Sequence, residues 1–156
     1  MAVELGYAAE QTIQPGAGAI LENIRPCNKC PQQVIHDNMT PNATLRGIVR
    51  NPCCNARAQY NVRFSGNIAL AEGATVGEIQ MAISVNGFVR PLTIAAATPA
   101  AVGDYWHVSG DTTVDVPVGC CTDVAVVNAS VSATPATVPA PAITARNLNV
   151  EIERTA

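Results

Sequence analysis

Six cysteines have the most distinctive spacing among the side chains that could do chemistry. Cys27 and Cys30 form a C-x-x-C pair, and Cys53-Cys54 and Cys120-Cys121 are directly adjacent pairs. A structural zinc site usually draws its ligands from two separated knuckles, and this chain has one C-x-x-C. A redox-active C-x-x-C normally begins a helix, whereas prolines flank this one on both sides. Buried thiols, or disulfides formed after release from the cell, are therefore favoured over a metal, and no cofactor is predicted.

Histidines and aspartates are the other candidates for catalysis or ion binding. His36 and His107 are the two histidines of the chain, and neither lies in a nucleophile motif. Asp111 and Asp115 share one face of a predicted strand, but a rise of about 3.3 Å per residue separates them by about 13 Å. That distance is too long for a carboxylate dyad. Together with Asp104 and Asp123 they offer oxygen ligands, yet no loop has the spacing of a calcium site. The sequence predicts no enzyme.

These residues belong to segments in which apolar and polar residues alternate. Side chains of a strand point to opposite faces with a period of two, so each segment has one face to bury. The apolar positions are Tyr60, Val62, Phe64, Ile68 and Leu70; Ile79, Met81, Ile83 and Val85; Val108, Val114 and Val116; and Leu148, Val150 and Ile152. Turn signals occur at strand-like intervals, and Asn86-Gly87 favours a tight hairpin. The pattern predicts an all-β domain.

Two segments are apolar on both faces, residues 94–97 and 124–127. A strand that is buried on one face only is not expected to show this pattern. We predict that the second face meets another subunit through Ile94, Ala96, Ala125 and Val127. The alternative is a strand covered by a loop of its own chain.

Composition excludes several classes of partner. The net charge is −3, 13% of the residues are charged, and Lys29 is the single lysine, so nucleic-acid binding is not expected. No apolar stretch approaches the length of a membrane span, which predicts no membrane partner. The first residues, interrupted by Glu4 and Glu10, lack the pattern of a signal peptide, so none is expected. The chain is expected to be made in a host cytoplasm.

A series of short motifs resembles one known group of proteins. The motifs are Pro26-Cys27-Asn28-Lys29, Val34-Ile35-His36, Leu45-Arg46-Gly47-Ile48, Tyr60 to Ala69, Val76-Gly77, Ala82-Ile83 with Asn86-Gly87, Thr98-Pro99-Ala100-Ala101-Val102, Val116-Pro117 with Gly119-Cys120-Cys121, Asn128 with Ser130, and Asn147-Leu148. They are similar to those of small bacterial and bacteriophage proteins of the tumour necrosis factor and complement globular-head superfamily. The resemblance implies a trimeric two-sheet antiparallel jelly-roll sandwich with both termini at one end.

The resemblance implies fold more directly than role, because one fold hosts many functions. A cytosol-made β trimer suits a virion protein, a homotrimeric capsid decoration or head-fibre protein that binds the major capsid protein. The alternative is a bacterial spore or cell-surface structural or adhesion protein. Such proteins usually carry a collagen-like Gly-X-Y stalk, and the sequence contains none.

The first ten residues precede the recognisable jelly roll, which predicts an N-terminal arm over 1–10 and a jelly-roll domain over 11–156. Val3, Leu5 and Tyr7 alternate on one face of this arm. Such a segment suits strand addition to a neighbouring sheet or binding in a groove, which predicts that it docks on the capsid. The alternative is a frayed terminus.

Overall fold

Twelve β-strands and one three-residue 3₁₀ helix form in the computed structural model, which describes residues 2–25, 33–50, 56–132 and 138–156. The strands are β1 (Ala2–Tyr7), β2 (Gln11–Ile13), β3 (Glu22–Arg25), β4 (Val34–His36), β5 (Ala43–Arg46), β6 (Arg57–Leu70), β7 (Ile79–Val85), β8 (Phe88–Val89), β9 (Ala95–Ala97), β10 (Trp106–Pro117), β11 (Cys121–Asn128) and β12 (Ile143–Arg154). The 3₁₀ helix, Pro91–Thr93, lies between β8 and β9. Within the described ranges, no helix is long and apolar enough to cross a membrane.

The strands form two antiparallel sheets. Sheet 1 has the order β10-β6-β12-β1-β3, with β2 also paired to β12. Sheet 2 has the order β4-β5-β11-β7-β8, with β9 also paired to β7. The predicted all-β class and the two-sheet antiparallel arrangement are confirmed. Ala2 pairs with Glu153, so the two ends of the described chain lie together.

The alternation seen in the sequence sorts the side chains of the long strands between core and solvent. Tyr60, Val62 and Phe64 of β6 are buried, while Arg63 between them is exposed. The core between the sheets is mostly aliphatic, because the chain has few aromatic residues. Burying each such side chain contributes about 1.5–3 kcal/mol. The hydrophobic effect therefore sets which face of each strand points inward.

The predicted N-terminal arm is instead an internal strand of the jelly roll. β1 lies between β12 and β3, and Leu5 is paired with Val150 on one side and Asn23 on the other. Val3 and Leu5 are buried in the core, and Tyr7 is half-buried. Residues 2–7 therefore belong to the jelly roll and not to a separate arm, and the buried Val3 and Leu5 side chains are not exposed for the predicted capsid contact. Burying the apolar face of such a segment stabilises the fold, and here that face is buried in the core of its own chain.

The hairpin predicted at Asn86-Gly87 is confirmed. Both residues have positive φ, 51° and 82°, and the turn joins β7 to β8. This is the conformation that Asn-Gly adopts readily in a tight turn. The turn directs the chain into residues 88–94, which contribute to the surface described below.

Candidate functional site

The outer face of sheet 1 is polar along the paired long strands β10, β6 and β12. Arg63 lies at its centre, with Nη2 3.1 Å from Oε1 of Glu151 and 3.7 Å from Oε2 of Glu153. The hydrogen bond to Glu151 raises the pKa of the Arg63 guanidinium. Asp111 is paired with Arg63 across the β10–β6 ladder, and Asp115 is four residues further along β10. These carboxylates are part of an exposed, solvated face. Asp111 and Asp115 lie four residues apart on one strand, which is the arrangement predicted from the sequence.

The two histidines lie in separate hydrogen-bonding environments. The ring nitrogens of His36 lie 2.6 Å from Oδ1 of Asn23 and 2.9 Å from the backbone oxygen of Thr40. Nδ1 of His107 lies 3.3 Å from Oδ1 of Asn67. Within the described ranges, neither ring forms a hydrogen bond with a hydroxyl or thiol group. The hydrogen bonds of these rings connect neighbouring segments of the chain. Within the described ranges, neither ring is paired with a nucleophile.

A small aromatic cluster occupies one end of sheet 1. The guanidinium carbon of Arg146 lies 3.8 Å from the centre of the Tyr105 ring, and the Tyr105 hydroxyl donates to Glu10. Partial burial, followed by the contact with Glu10, raises the pKa of Tyr105. The indole N–H of Trp106 donates to Oδ2 of Asp104 at 3.2 Å. Asp104 therefore orients an aromatic ring of its own chain.

Sheet 2 carries a groove of about 720 Å³ on its outer face. Ala125 and Val127 lie at its floor and are each only 8% exposed, with Ser84 beside them. Val89 lines one side and Pro41 the other. The floor is apolar, whereas Asp123 and polar side chains such as Asn42 and Ser130 line the rest of the groove. We call it the sheet 2 groove.

Residues 16–19 extend sheet 2 beside β11, next to the groove. The backbone N–H of Ala19 donates to the oxygen of Val126 at 2.8 Å, and that of Gly16 donates to the oxygen of Asn128 at 2.9 Å. Gly18 is bridged to Val127, and a Cβ at Gly18 would meet Pro41 at 2.7 Å. The absence of a side chain at position 18 therefore allows Pro41 to pack closely there. The segment lies alongside β11 and leaves the groove open.

The most exposed apolar side chains of the described chain lie on residues 88–94, which we call the apolar loop. Leu92 is fully exposed and Phe88 is 79% exposed, with Val89 and Ile94 less so. Thr93 between them is buried, and its hydroxyl donates to the backbone oxygen of Arg90 at 2.7 Å. The loop is thus anchored from below while its largest side chains face solvent.

The four residues predicted to form a subunit interface fall into two separate patches. Ile94 and Ala96 are exposed, at the end of the apolar loop and in β9, whereas Ala125 and Val127 lie in the sheet 2 groove. Phe88 and Leu92 were not predicted as site residues, because a short segment between a turn and a proline shows no periodic pattern. The available signals were a large apolar residue directly after the Asn-Gly turn, Phe88, and another directly after a proline, Leu92.

Three further apolar side chains are exposed along the opposite edge of the sandwich, with Ile24 toward the outer face of sheet 1 and Ile35 toward that of sheet 2. Ile24, Ile35 and Met39 are each 45–55% exposed around the junction of β3 and β4. The side chain of Asn23 donates to the backbone oxygen of His36, which brings these two strands together. β3 and β4 end the strand orders of their sheets, as β10 and β8 do on the other side. We call this surface the β3–β4 patch.

The structure describes two of the six cysteines. Cys120 and Cys121 are exposed and free, so the prediction of buried thiols is wrong for this pair. Cys27, Cys30, Cys53 and Cys54 lie outside the described residues. Among the residues that are described, no three side chains of metal-ligating type are grouped.

Comparison with known proteins identifies the fold. The chain is similar to the solved structure of Eiger TNF from S. frugiperda, with a TM-score of 0.59 over 100% of this chain and 92% of that one. The fold is a tumour necrosis factor-like jelly roll. Sequence identity is 8%, so the likeness shows the fold alone. The C-terminal domain of EclA, a sugar-binding protein, is 14% identical over 92% of this chain and 77% of that one, and its TM-score of 0.39 is too low to bear on the argument. No protein-family model and no curated protein matches the sequence.

Proposed function

We propose that this jelly roll is a non-enzymatic structural protein of a bacteriophage virion, a homotrimer that binds and stabilises the surface of the phage head. The observation that carries the proposal is the presence of exposed apolar side chains at two opposite edges of one sandwich, Phe88 and Leu92 at one and Ile24, Ile35 and Met39 at the other. A decoration protein needs two kinds of contact, one with copies of itself and one with the shell. Exposed apolar patches of this kind mark sites of protein–protein interaction.

The polar groups of the described chain support a structural role. His36 and His107 contact amide and backbone oxygens, and Asp104 orients Trp106. Arg63 is paired with the carboxylates of the neighbouring strand β12. General acid–base catalysis instead needs an acid and a base that converge on a reacting atom. The ionisable groups named here hold strands together or orient other side chains. This use of polar groups is typical of a structural component of a particle.

Because Val3 and Leu5 are buried, shell contact has to be made elsewhere. We assign it to the β3–β4 patch, which lies at the edge of the sandwich opposite to the apolar loop. The partner is the major capsid protein of the head. Several copies in one trimer would bind the shell together, so that effective concentration strengthens a contact that is weak for a single copy.

The proposal is tested with purified heads that lack the protein. The wild-type protein should co-sediment with the heads, and Ile35→Asp should lose binding at least about tenfold while keeping its molecular mass in solution. Val76→Asp is the matched control, because Val76 is an exposed apolar residue outside both apolar surfaces. Mass spectrometry of intact virions should contain the chain. Its presence in spore coats, or in no particle, would contradict the proposal.

A further inference from the structure

We propose that the sheet 2 groove binds a neutral saccharide, with Ser84, Asn86 and Asp123 contacting its hydroxyl groups. The volume of about 720 Å³ lies within the range of about 300–1,000 Å³ that is usual for small-molecule sites. Such a ligand site is additional to the capsid contact proposed above, which uses the β3–β4 patch at the edge of the sandwich.

The floor of the groove contains a nearly buried hydroxyl group. Ser84 is 6% exposed, and its neighbours Ile83 and Val85 belong to the core, so the Ser84 side chain is on the groove side of β7. Within the described ranges, the Ser84 hydroxyl makes no hydrogen bond with the protein and is open to the groove. Polar groups with so little exposure are normally hydrogen-bonded. This hydroxyl therefore indicates a polar ligand in the groove.

One end of the groove holds an amide and a carboxylate side by side. Oδ1 of Asn86 accepts the backbone N–H of Asp123 at 2.9 Å, and Oδ1 of Asp123 accepts the Thr44 hydroxyl at 2.6 Å. In the part of the chain that the structure describes, these bonds orient both side chains and leave the Asn86 amide N–H groups and the second Asp123 oxygen without a protein partner. A hydroxyl group both donates and accepts. Neighbouring hydroxyls of a sugar can thus bind this donor and this acceptor together.

The rest of the groove offers another hydroxyl and an apolar surface. The Ser130 hydroxyl accepts the backbone N–H of Gln80 at 2.9 Å, which leaves its own proton for donation to a ligand. Ala125 and Val127 form the floor between this hydroxyl and Asp123. A sugar ring carries hydroxyl groups at its edge and C–H groups on its faces. The mixture of polar and apolar groups in the groove matches that chemistry better than it matches an apolar side chain.

The charge and depth of the groove define the class of saccharide. Asp123 is the one charged residue among those that line it, and no basic side chain is among them. An anionic ligand would be repelled by this carboxylate and would find no counter-charge, so the ligand is uncharged. Segment 16–18 and Pro41 already cover much of the floor, where Ala125 and Val127 are each 8% exposed. A ligand that reaches this floor has to be as small as one or two sugar rings.

Titration of the isotope-labelled wild-type protein with neutral sugars, followed by nuclear magnetic resonance, tests the inference. The probes are glucose, galactose, mannose and N-acetylglucosamine at millimolar concentrations, and at least one should shift the backbone amide signals of Ser84, Asn86 and Asp123. Asp123→Ala should weaken binding at least about tenfold and Ser84→Ala about fivefold, because each removes a hydrogen-bonding group. Ser109→Ala removes an exposed hydroxyl from the outer face of sheet 1 and is the matched control, with binding unchanged.

The possible results are distinct from those for the capsid contact. Asp123→Ala and Ser84→Ala should still co-sediment with heads, since neither residue belongs to the β3–β4 patch. Failure of all four sugars to shift the groove signals would overturn the saccharide site, and so would shifts confined to sheet 1. Inorganic phosphate is the anionic probe, and shifts of the groove signals by phosphate alone would overturn the neutral ligand. If circular dichroism shows Asp123→Ala to be unfolded, unchanged binding by Ser84→Ala would contradict the inference.

Discussion

The two sheets of the sandwich are built alike toward the core and differ on their outer faces. The outer face of sheet 1 surrounds Arg63 with carboxylates, including Glu151 and Glu153. That of sheet 2 has Ala125 and Val127 in a groove. Moving charged groups from water into a protein contact costs free energy unless each is well paired, whereas burying small apolar groups is favourable. The comparison shows that the outer face of sheet 1 is suited to water, whereas the small apolar side chains of sheet 2 can pack against another surface at little cost.

The largest expected effect on the free energy of unfolding distinguishes an inner-face side chain of β1 from an outer-face side chain of the same strand. Leu5→Ala removes a fully buried side chain of β1 and should lower the free energy of unfolding by about 2–5 kcal/mol. Glu4→Ala changes the neighbouring, half-buried position on the outer face and should cost less than about 0.5 kcal/mol. Urea denaturation of both variants measures the difference. Equal, small effects would mean that β1 detaches from the sheet in solution.

A medium loss of stability is expected when Tyr60 is changed, because its side chain connects the two sheets. Tyr60 belongs to β6 of sheet 1, and its hydroxyl donates to the backbone oxygen of Arg46 in β5 of sheet 2 at 2.7 Å. Tyr60→Phe removes this bond and should destabilise the protein by about 0.5–1.5 kcal/mol at neutral pH. The measurement is thermal or urea unfolding of the two proteins.

The same tyrosine predicts a pH dependence. Burial raises the pKa of Tyr60 above its usual value of 10.0, although Arg154 and the Arg46 hydrogen bond act in the opposite direction. The folded state thus holds the phenol proton more tightly than the unfolded state does. The stability from this group is fully present below pH 10.0 and is lost as the pH rises through the folded pKa. Tyr60→Phe should therefore lose less stability than wild type above that pH, and parallel alkaline curves would contradict the assignment.

The smallest effect is expected on the outer face of sheet 1. Arg63→Met removes the contacts with Glu151 and Glu153, all of which are solvent-exposed. Exposed ion pairs contribute little and are screened by salt, so the variant should melt slightly below wild type at low ionic strength and together with it at high ionic strength. Ser109→Ala on the same face is the control. Loss of the oligomer in Arg63→Met would show that this polar face takes part in subunit contact, and would reverse the comparison.

Much of the fold could be predicted from residue pattern. Strict alternation in β6, β10 and β12 identified their inner faces, because period-two spacing leaves each strand one apolar side. Asn86-Gly87 identified its hairpin through local conformational preference alone. The alternation of Val3, Leu5 and Tyr7 was also recognised, but a strand with one apolar face suits its own core as well as another protein. The local pattern of residues does not determine which sheet this strand joins.

The sequence by itself established the all-β class and the polar face of each long strand, since both follow from short-range alternation, while the two-sheet arrangement was implied by the family resemblance. Tertiary structure alone decided that β1 is an internal strand and that Ala125 and Val127 lie in a groove. It also decided that Phe88 and Leu92 project from an anchored loop. The anchor is Thr93, whose partners Ile83 and Gly110 are distant along the chain. Contacts between such positions depend on how the sheets pack, and spacing along the chain does not determine that packing.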